Sequence, residues 1–235
     1  MGKYRIFKKN KNMKLLLTST GFGKNPEIGR EFLDLIGKKP NEIKVFLVTV
    51  QEKAEDAKWL KRYLGLFKKV GVAADNISIF SFGRRVKRED LKNIDVVFVC
   101  GGNTFVYLDK IRKTGLDKMI KEFVKKGGVY FGVSAGSYVA CPTIEVASWK
   151  HSDRNAIKLK NLKALNLVPF LLSVHFKNKY EQIIKNAAKK TKYPVIVLND
   201  KQAVLVKNKE IRIIGPGKRI IFNEPAGLKI KSDGK

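Results

Sequence analysis

Cysteine and histidine are scarce in this chain of 235 residues, which has two of each. Neither cysteine, Cys100 or Cys141, belongs to a C-x-x-C pair, which argues against a disulfide scaffold and against a zinc site. The G-x-G-x-x-G spacing of a dinucleotide-binding loop is also absent. The sequence therefore predicts neither a metal site nor a cofactor.

Long apolar runs are missing as well. No run reaches the length of a membrane-spanning helix, and residues 1–12 lack the apolar centre of a signal peptide. We therefore expect a protein of the reducing cytoplasm that makes no membrane contact. Residues 1–12 are interpreted as a disordered basic extension, 13–223 as a single α/β domain and 224–235 as a flexible tail.

Acidic residues are few: 21 Asp and Glu stand against 49 Lys and Arg, a net charge of +28. Such a surface can bind nucleic acid or an anionic membrane. The lysines are spread over nearly every predicted helix rather than clustered, which favours a solvated basic surface. Nonspecific contact with nucleic acid or another polyanion is then a side effect. The sequence leaves the oligomeric state open between monomer and homodimer.

Apolar runs alternate with amphipathic stretches along most of the chain. The runs predict strands at 14–20, 43–50, 77–82, 95–100, 129–133, 171–176, 195–199, 203–207 and 211–214. The amphipathic stretches predict helices at 26–36, 54–70, 105–111, 116–126 and 179–190. Strands that are apolar on both faces indicate a mostly parallel sheet with helices on both sides, a three-layer α/β fold.

A serine stands at the corner between a strand and a helix in the stretch 127–141, G-G-V-Y-F-G-V-S-A-G-S-Y-V-A-C. Gly132, Ser134 and Gly136 match G-x-S-x-G, the nucleophile elbow, in which the flanking positions must be small. The Ala135 amide would then point to where an oxyanion forms. The alternative is a glycine-rich turn with an incidental serine.

A catalytic serine needs a general base and a carboxylate that orients it. Of the two histidines, His151 lies in a polar loop, whereas His175 ends an apolar segment and is favoured as the base. Between the elbow and His175 the acidic residues are Glu145 and Asp153, in the order serine, acid, histidine known from α/β-hydrolases. Asp153 is preferred because its loop is free to turn inward.

The glycine-rich segment 101–104, G-G-N-T, follows another predicted strand. Carboxyl ends of parallel strands share one sheet edge, so this segment is expected to meet Ser134. Gly102 is the candidate for the second oxyanion amide, and Gly101, Asn103 and Thr104 are candidate substrate contacts. The alternative is a strand-to-helix turn with Thr104 as the helix N-cap.

These segments resemble the dipeptidase E (aspartyl dipeptidase) family of serine peptidases. The matching segments, in family order, are 101–104 (G-G-N-T), 133–136 (V-S-A-G), 142–144 (P-T-I), 164–168 (A-L-N-L-V) and 175–176 (H-F). The resemblance implies the flavodoxin-like fold of class I glutamine amidotransferases, with Ser134 as nucleophile, His175 as base, and Gly102 and Ala135 as oxyanion donors. An ungapped match places the family's aspartate at Trp149, and small gaps bring it to Asp153.

The resemblance also bears on the substrate. The family carries a recognition arginine after the histidine, but here none occurs before Arg212, so strict specificity for N-terminal aspartate is not expected. Serine in place of the amidotransferase cysteine argues against glutamine hydrolysis, and cyanophycinases share both fold and nucleophile. The leading hypothesis is a serine peptidase that hydrolyses short peptides through an acyl-enzyme. The alternative is a non-catalytic protein of the same fold that binds nucleic acid or another polyanion.

Overall fold

The computed structural model describes residues 12–50, 57–150, 153–225 and 230–232. Its strands are β1 (Lys14–Thr18), β2 (Val45–Val48), β3 (Ile77–Phe80), β4 (Val96–Val99), β5 (Val129–Val133), β6 (Leu171–Ser173), β7 (Val195–Val197), β8 (Ala203–Lys207), β9 (Glu210–Ile214), β10 (Ile220–Phe222) and β11 (Ile230–Ser232). Its α-helices are α1 (Pro26–Ile36), α2 (Ala57–Lys69), α3 (Thr104–Lys113), α4 (Leu116–Lys125), α5 (Ala135–Ala140) and α6 (Glu181–Ala188). Within these ranges no helix is long and apolar enough to cross a membrane.

The central sheet has eight strands in the order β11-β9-β8-β1-β5-β4-β2-β3. Strands β1, β5, β4, β2 and β3 run parallel, and β8 and β9 add an antiparallel pair beside β1. Every residue of β2, β4 and β5 is buried, as expected for strands covered on both faces. The predicted α/β fold with a mostly parallel central sheet and helices is confirmed.

A second sheet of three strands, in the order β10-β7-β6, was not predicted. Strands β6 and β7 are parallel, with Leu171 opposite Val195. Their carboxyl ends therefore lie side by side, which matters for the site described below. Strand β11 pairs with β9 in parallel, although its residues belong to the stretch 224–235 that the sequence predicts to be a flexible tail. The predicted N-terminal extension lies, but for Asn12, outside the described residues.

Aromatic packing supports the strand that leads to Ser134. The Phe131 ring of β5 lies 4.8 Å from the Phe98 ring of β4 and 5.5 Å from the Phe32 ring of α1, measured between centroids. Phe67 of α2 packs edge-on against Phe98 at 4.9 Å. All four rings are fully buried. Helices α1 and α2 are thus fixed against the parallel strands, and the end of β5 is held firmly.

Candidate active site

Ser134 stands between β5 and α5 with φ 51° and ψ −107°, a conformation that residues with a side chain rarely adopt. The turn is tight enough to exclude side chains at the two flanking glycines. A Cβ on Gly132 would lie 2.6 Å from the Gly136 carbonyl oxygen, and one on Gly136 would overlap the Val99 carbonyl. The G-x-S-x-G pattern therefore forms the strand, sharp turn and helix that the sequence predicts.

His175 connects this serine to a carboxylate. Its Nε2 lies 2.9 Å from Ser134 Oγ, and its Nδ1 lies 2.7 Å from Asp200 Oδ1. His175 follows β6 and Asp200 follows β7, so the parallel pairing of these two short strands brings the residues together. The three side chains form one hydrogen-bonded series with the imidazole in the middle.

Asp200 has a second partner, Lys24, whose Nζ lies 2.7 Å from Asp200 Oδ2. Burial raises the pKa of Asp200, but hydrogen bonds from Lys24 and His175 outweigh it and hold that pKa below its usual value. The carboxylate is therefore ionised at neutral pH. An ionised Asp200 accepts the His175 Nδ1–H, which leaves Nε2 free to accept the proton of the Ser134 hydroxyl.

A cavity of about 450 Å³ opens beside Ser134 and His175. Gly101, Gly102 and Asn103 of the segment 101–104 line it. A Cβ on Gly101 would lie 3.5 Å from Ser134 Cβ, so the glycine segment passes directly against the serine.

Helix α2 supplies a wall of the cavity that sequence reasoning missed, consisting of Trp59, Arg62 and Tyr63. The Arg62 guanidinium lies 5.4 Å from the centre of the Trp59 ring, and both side chains are exposed. Tyr63 is buried, which raises its pKa to about 12, and its hydroxyl oxygen accepts the Gly101 N–H at 3.1 Å. The neutral phenol therefore anchors the glycine segment to α2.

Comparison with known protein families gives a match over most of the chain. The family model described as peptidase family S51 matches residues 15–214. The chain belongs to peptidase family S51. It is therefore a peptidase of a serine-type family.

Individual relatives point the same way. An uncharacterized peptidase of Pasteurella multocida is 28% identical over 207 residues, covering 86% of this chain and 97% of the relative. Peptidase E of Escherichia coli is 40% identical over 88 residues, 37% of either protein. A crystal structure from Listeria monocytogenes EGD-e, named as a candidate peptidase E, has a TM-score of 0.69 at 24% identity and covers 87% of this chain and 99% of that one. The last likeness concerns the fold alone.

The prediction that Asp153 contacts His175 is wrong. Asp153 Oδ2 accepts the Thr104 backbone N–H at 2.9 Å and also the Thr104 hydroxyl. The carboxylate thus sits at the start of α3, where a negative charge is favourable, and ties its own loop to that helix. Asp200 takes the place beside His175 instead.

Two further expectations near α3 need correction. Thr104 is fully buried and its amide and hydroxyl are both bonded to Asp153, so it does not face the cavity. The N-cap of α3 is Asn103, whose Oδ1 accepts the amides of Phe105 and Val106 at 3.1 Å, and not Thr104.

The alternative acid, Glu145, and the alternative base, His151, are also candidates in the sequence. Glu145, the alternative acid, lies in the short turn Glu145–Ser148 and borders a separate groove beside Trp149. His151 lies outside the described residues.

Asp200 lies outside the stretch between the elbow and His175, where the order serine, acid, histidine predicts the acid. The chain order here is serine, histidine, acid. A signal was present in the sequence, since Asp200 directly follows the predicted strand 195–199. In α/β folds, site residues usually lie at the carboxyl ends of parallel strands.

Proposed function

We propose that this S51 peptidase hydrolyses short peptides through an acyl-enzyme on Ser134, with His175 as general base and Asp200 as the orienting carboxylate. The observation that carries the proposal is the continuous series Asp200–His175–Ser134, with contacts of 2.7 and 2.9 Å, at the edge of a cavity. Both distances lie within the reach needed for proton transfer in such a series.

The reaction follows from these contacts. Asp200 holds the Nδ1–H tautomer, so that Nε2 takes the hydroxyl proton while Ser134 Oγ attacks the scissile carbonyl carbon. The imidazolium then gives this proton to the leaving amine, and the C–N bond breaks. A water molecule, deprotonated by the same Nε2, attacks the ester, and the proton returns to Ser134 Oγ as the acid product leaves.

We assign the oxyanion donors to the amides of Gly102 and Ala135. The Ala135 amide belongs to the residue after the nucleophile, the usual donor at a nucleophile elbow. Gly102 has φ 154°, and a Cβ there would lie 2.9 Å from Val50, so that only glycine fits this approach to the site. Rigidly held donors stabilise the charge that develops in the transition state, and this stabilisation is among the largest contributions to the rate of such reactions.

The cavity favours short substrates that carry an anionic group. Its volume of about 450 Å³ is typical of a site for a small molecule. Among the described residues that line it, Arg62 is the permanently charged side chain. We propose that Arg62 attracts a carboxylate of the substrate, such as the C-terminal carboxylate of a short peptide, while Trp59 provides an apolar surface.

A fluorophosphonate probe tests the proposal, since it reacts with activated serines. Wild-type protein should be labelled on Ser134 and should release amine from short peptides, and Ser134→Ala should do neither. Equal labelling of the two proteins would defeat the proposal. The alternative of polyanion binding rests on the net charge of +28. It predicts an affinity for polyanions that falls steeply with salt and is unchanged by Ser134→Ala.

A further inference from the structure

The backbone at His175 is one of the factors that set where the imidazole points. His175 has φ 57°, in the left-handed region that residues with a side chain seldom occupy. Such a conformation persists only when the surroundings hold it in place. The contacts that hold this backbone are therefore part of the support of the candidate base.

Both polar atoms of this peptide group are held by side chains from distant parts of the chain. The Lys150 ammonium donates to the Val174 carbonyl, and the Ser19 hydroxyl oxygen accepts the His175 N–H at 3.0 Å. Ser19 Oγ also lies 3.4 Å from the Leu198 carbonyl, to which it donates. Because the peptide group is planar, holding its carbonyl and its amide fixes its plane and the position of the His175 Cα. With φ held at 57°, this sets the direction in which the His175 side chain leaves the backbone.

Lys150 is an unusual donor for this task. It is only 8% exposed, and its Nζ lies 5.6 Å from the centre of the Tyr180 ring. Burial lowers its pKa to about 8, against the attraction of the Asp153 and Asp200 carboxylates. A buried ammonium is costly unless it is well paired, so a neutral apolar side chain would be the simpler solution for packing alone.

We propose that Lys150 is a positioning residue for catalysis, which acts with Ser19 by clamping the Val174–His175 peptide group so that Nε2 of His175 meets Ser134. The inference rests on the proposed function of Ser134 and His175. It assigns no contact with substrate to Lys150. Loss of the clamp lets the left-handed backbone relax and moves the imidazole out of line.

The test measures the rate at which a fluorophosphonate probe labels Ser134 in the full chain. Lys150→Met should slow labelling by at least about tenfold, because small displacements of a catalytic group cost one to two orders of magnitude. Lys179→Met is the matched control: its Nζ lies 5.1 Å from the same Tyr180 ring, but Lys179 is exposed. The control should label at the wild-type rate. Labelling of folded Lys150→Met at the wild-type rate would overturn the proposal and leave the role of Ser134 intact.

A double variant separates positioning from general damage to the structure. If Lys150 and Ser19 act through one peptide group, the labelling rate of the double variant Lys150→Met/Ser19→Ala falls by less than the product of the factors by which the two single variants fall. Losses that multiply would show two independent effects and contradict the clamp. With a peptide substrate, Lys150→Met should lower kcat and leave KM close to wild type, whereas a damaged cavity would raise KM.

If Lys150→Met does not fold, two other variants test the clamp. Lys150→Arg keeps a charged donor and should retain most of the labelling rate, and Ser19→Ala should slow it from the other end of the same peptide group. A wild-type rate in Ser19→Ala would then overturn the clamp. Absence of labelling in the wild type itself would instead defeat the proposed function, so the two failures are distinguishable.

Discussion

His175 Nδ1 lies 2.7 Å from Asp200 Oδ1, although a helix separates the two residues in the chain. His175 follows the end of β6, and Asp200 follows the end of β7. The contact exists because β6 and β7 pair in parallel and end together. The candidate acid therefore follows the histidine in the chain. The small second sheet thus supplies two members of the site, and the large sheet supplies Ser134.

The first prediction compares the two aspartates. Asp200→Asn should cripple peptide hydrolysis, because the amide cannot hold the productive His175 tautomer, and the equivalent change in a serine protease lowered kcat by about 10⁴. Asp153→Asn is the matched control: the Asp153 carboxylate bonds to Thr104 at the start of α3 and not to His175, so this variant should keep a kcat close to wild type. Steady-state kinetics of both variants decide the matter. A larger loss in Asp153→Asn would reassign the acid.

The second prediction concerns the pH dependence of stability. Burial lowers the pKa of Lys150 from its usual 10.5 to about 8. Between these values the unfolded chain binds a proton that the folded chain has released, so this residue makes stability rise with pH. At about 1.4 kcal/mol per pKa unit, wild type should gain about 3 kcal/mol relative to Lys150→Met between pH 7 and 10.5.

Urea unfolding at several pH values measures this difference. Lys179→Met is the matched control for the loss of one lysine charge, since that side chain is exposed. A stability difference between wild type and Lys150→Met that stays constant over the whole window would show that the ammonium carries no burial cost.

The third prediction tests the elbow. Gly136→Ala would overlap the Val99 carbonyl, and overpacking of this kind costs about 1–3 kcal/mol. The variant should melt at a lower temperature and lose probe labelling together, because the turn that presents Ser134 must open. Gly65→Ala in α2 is the control: its Cβ meets nothing within 4 Å, so helix propensity alone should stabilise it by up to about 1 kcal/mol. Normal labelling of Gly136→Ala would show that the turn tolerates a side chain.

Much of the fold is predictable because its signals are local. Helix α1 spans Pro26–Ile36 as the sequence indicates, since Asn25 caps its start and Gly37 ends it with φ 73°. The elbow strand β5 is likewise bounded by glycines and read correctly as Val129–Val133. In each case a few adjacent residues determine the conformation.

The acid was not predictable in the same way because it depends on long-range pairing. Strands β6 and β7 are three residues each, too short for periodicity to reveal which neighbour they choose. The sequence shows Asp200 at the end of a predicted strand, but without that pairing it does not show that this strand end lies beside His175. The preference for Asp153 rests on a loop that is free to turn inward and on the template order serine, acid, histidine, which this protein does not follow.

The last prediction concerns substrate charge. If Arg62 attracts a C-terminal carboxylate, Arg62→Gln should raise KM for a short peptide acid and leave KM for the same peptide amide nearly unchanged. Arg62 is exposed, and an exposed ion pair contributes at most about 1 kcal/mol, which corresponds to about fivefold in KM. Arg30→Gln, in an exposed position on α1, controls for the loss of one positive charge from the whole protein. An equal change in KM for acid and amide would remove Arg62 from substrate recognition. An effect of the same size in Arg30→Gln would assign the preference to the net charge of +28, acting at long range, instead of to the cavity.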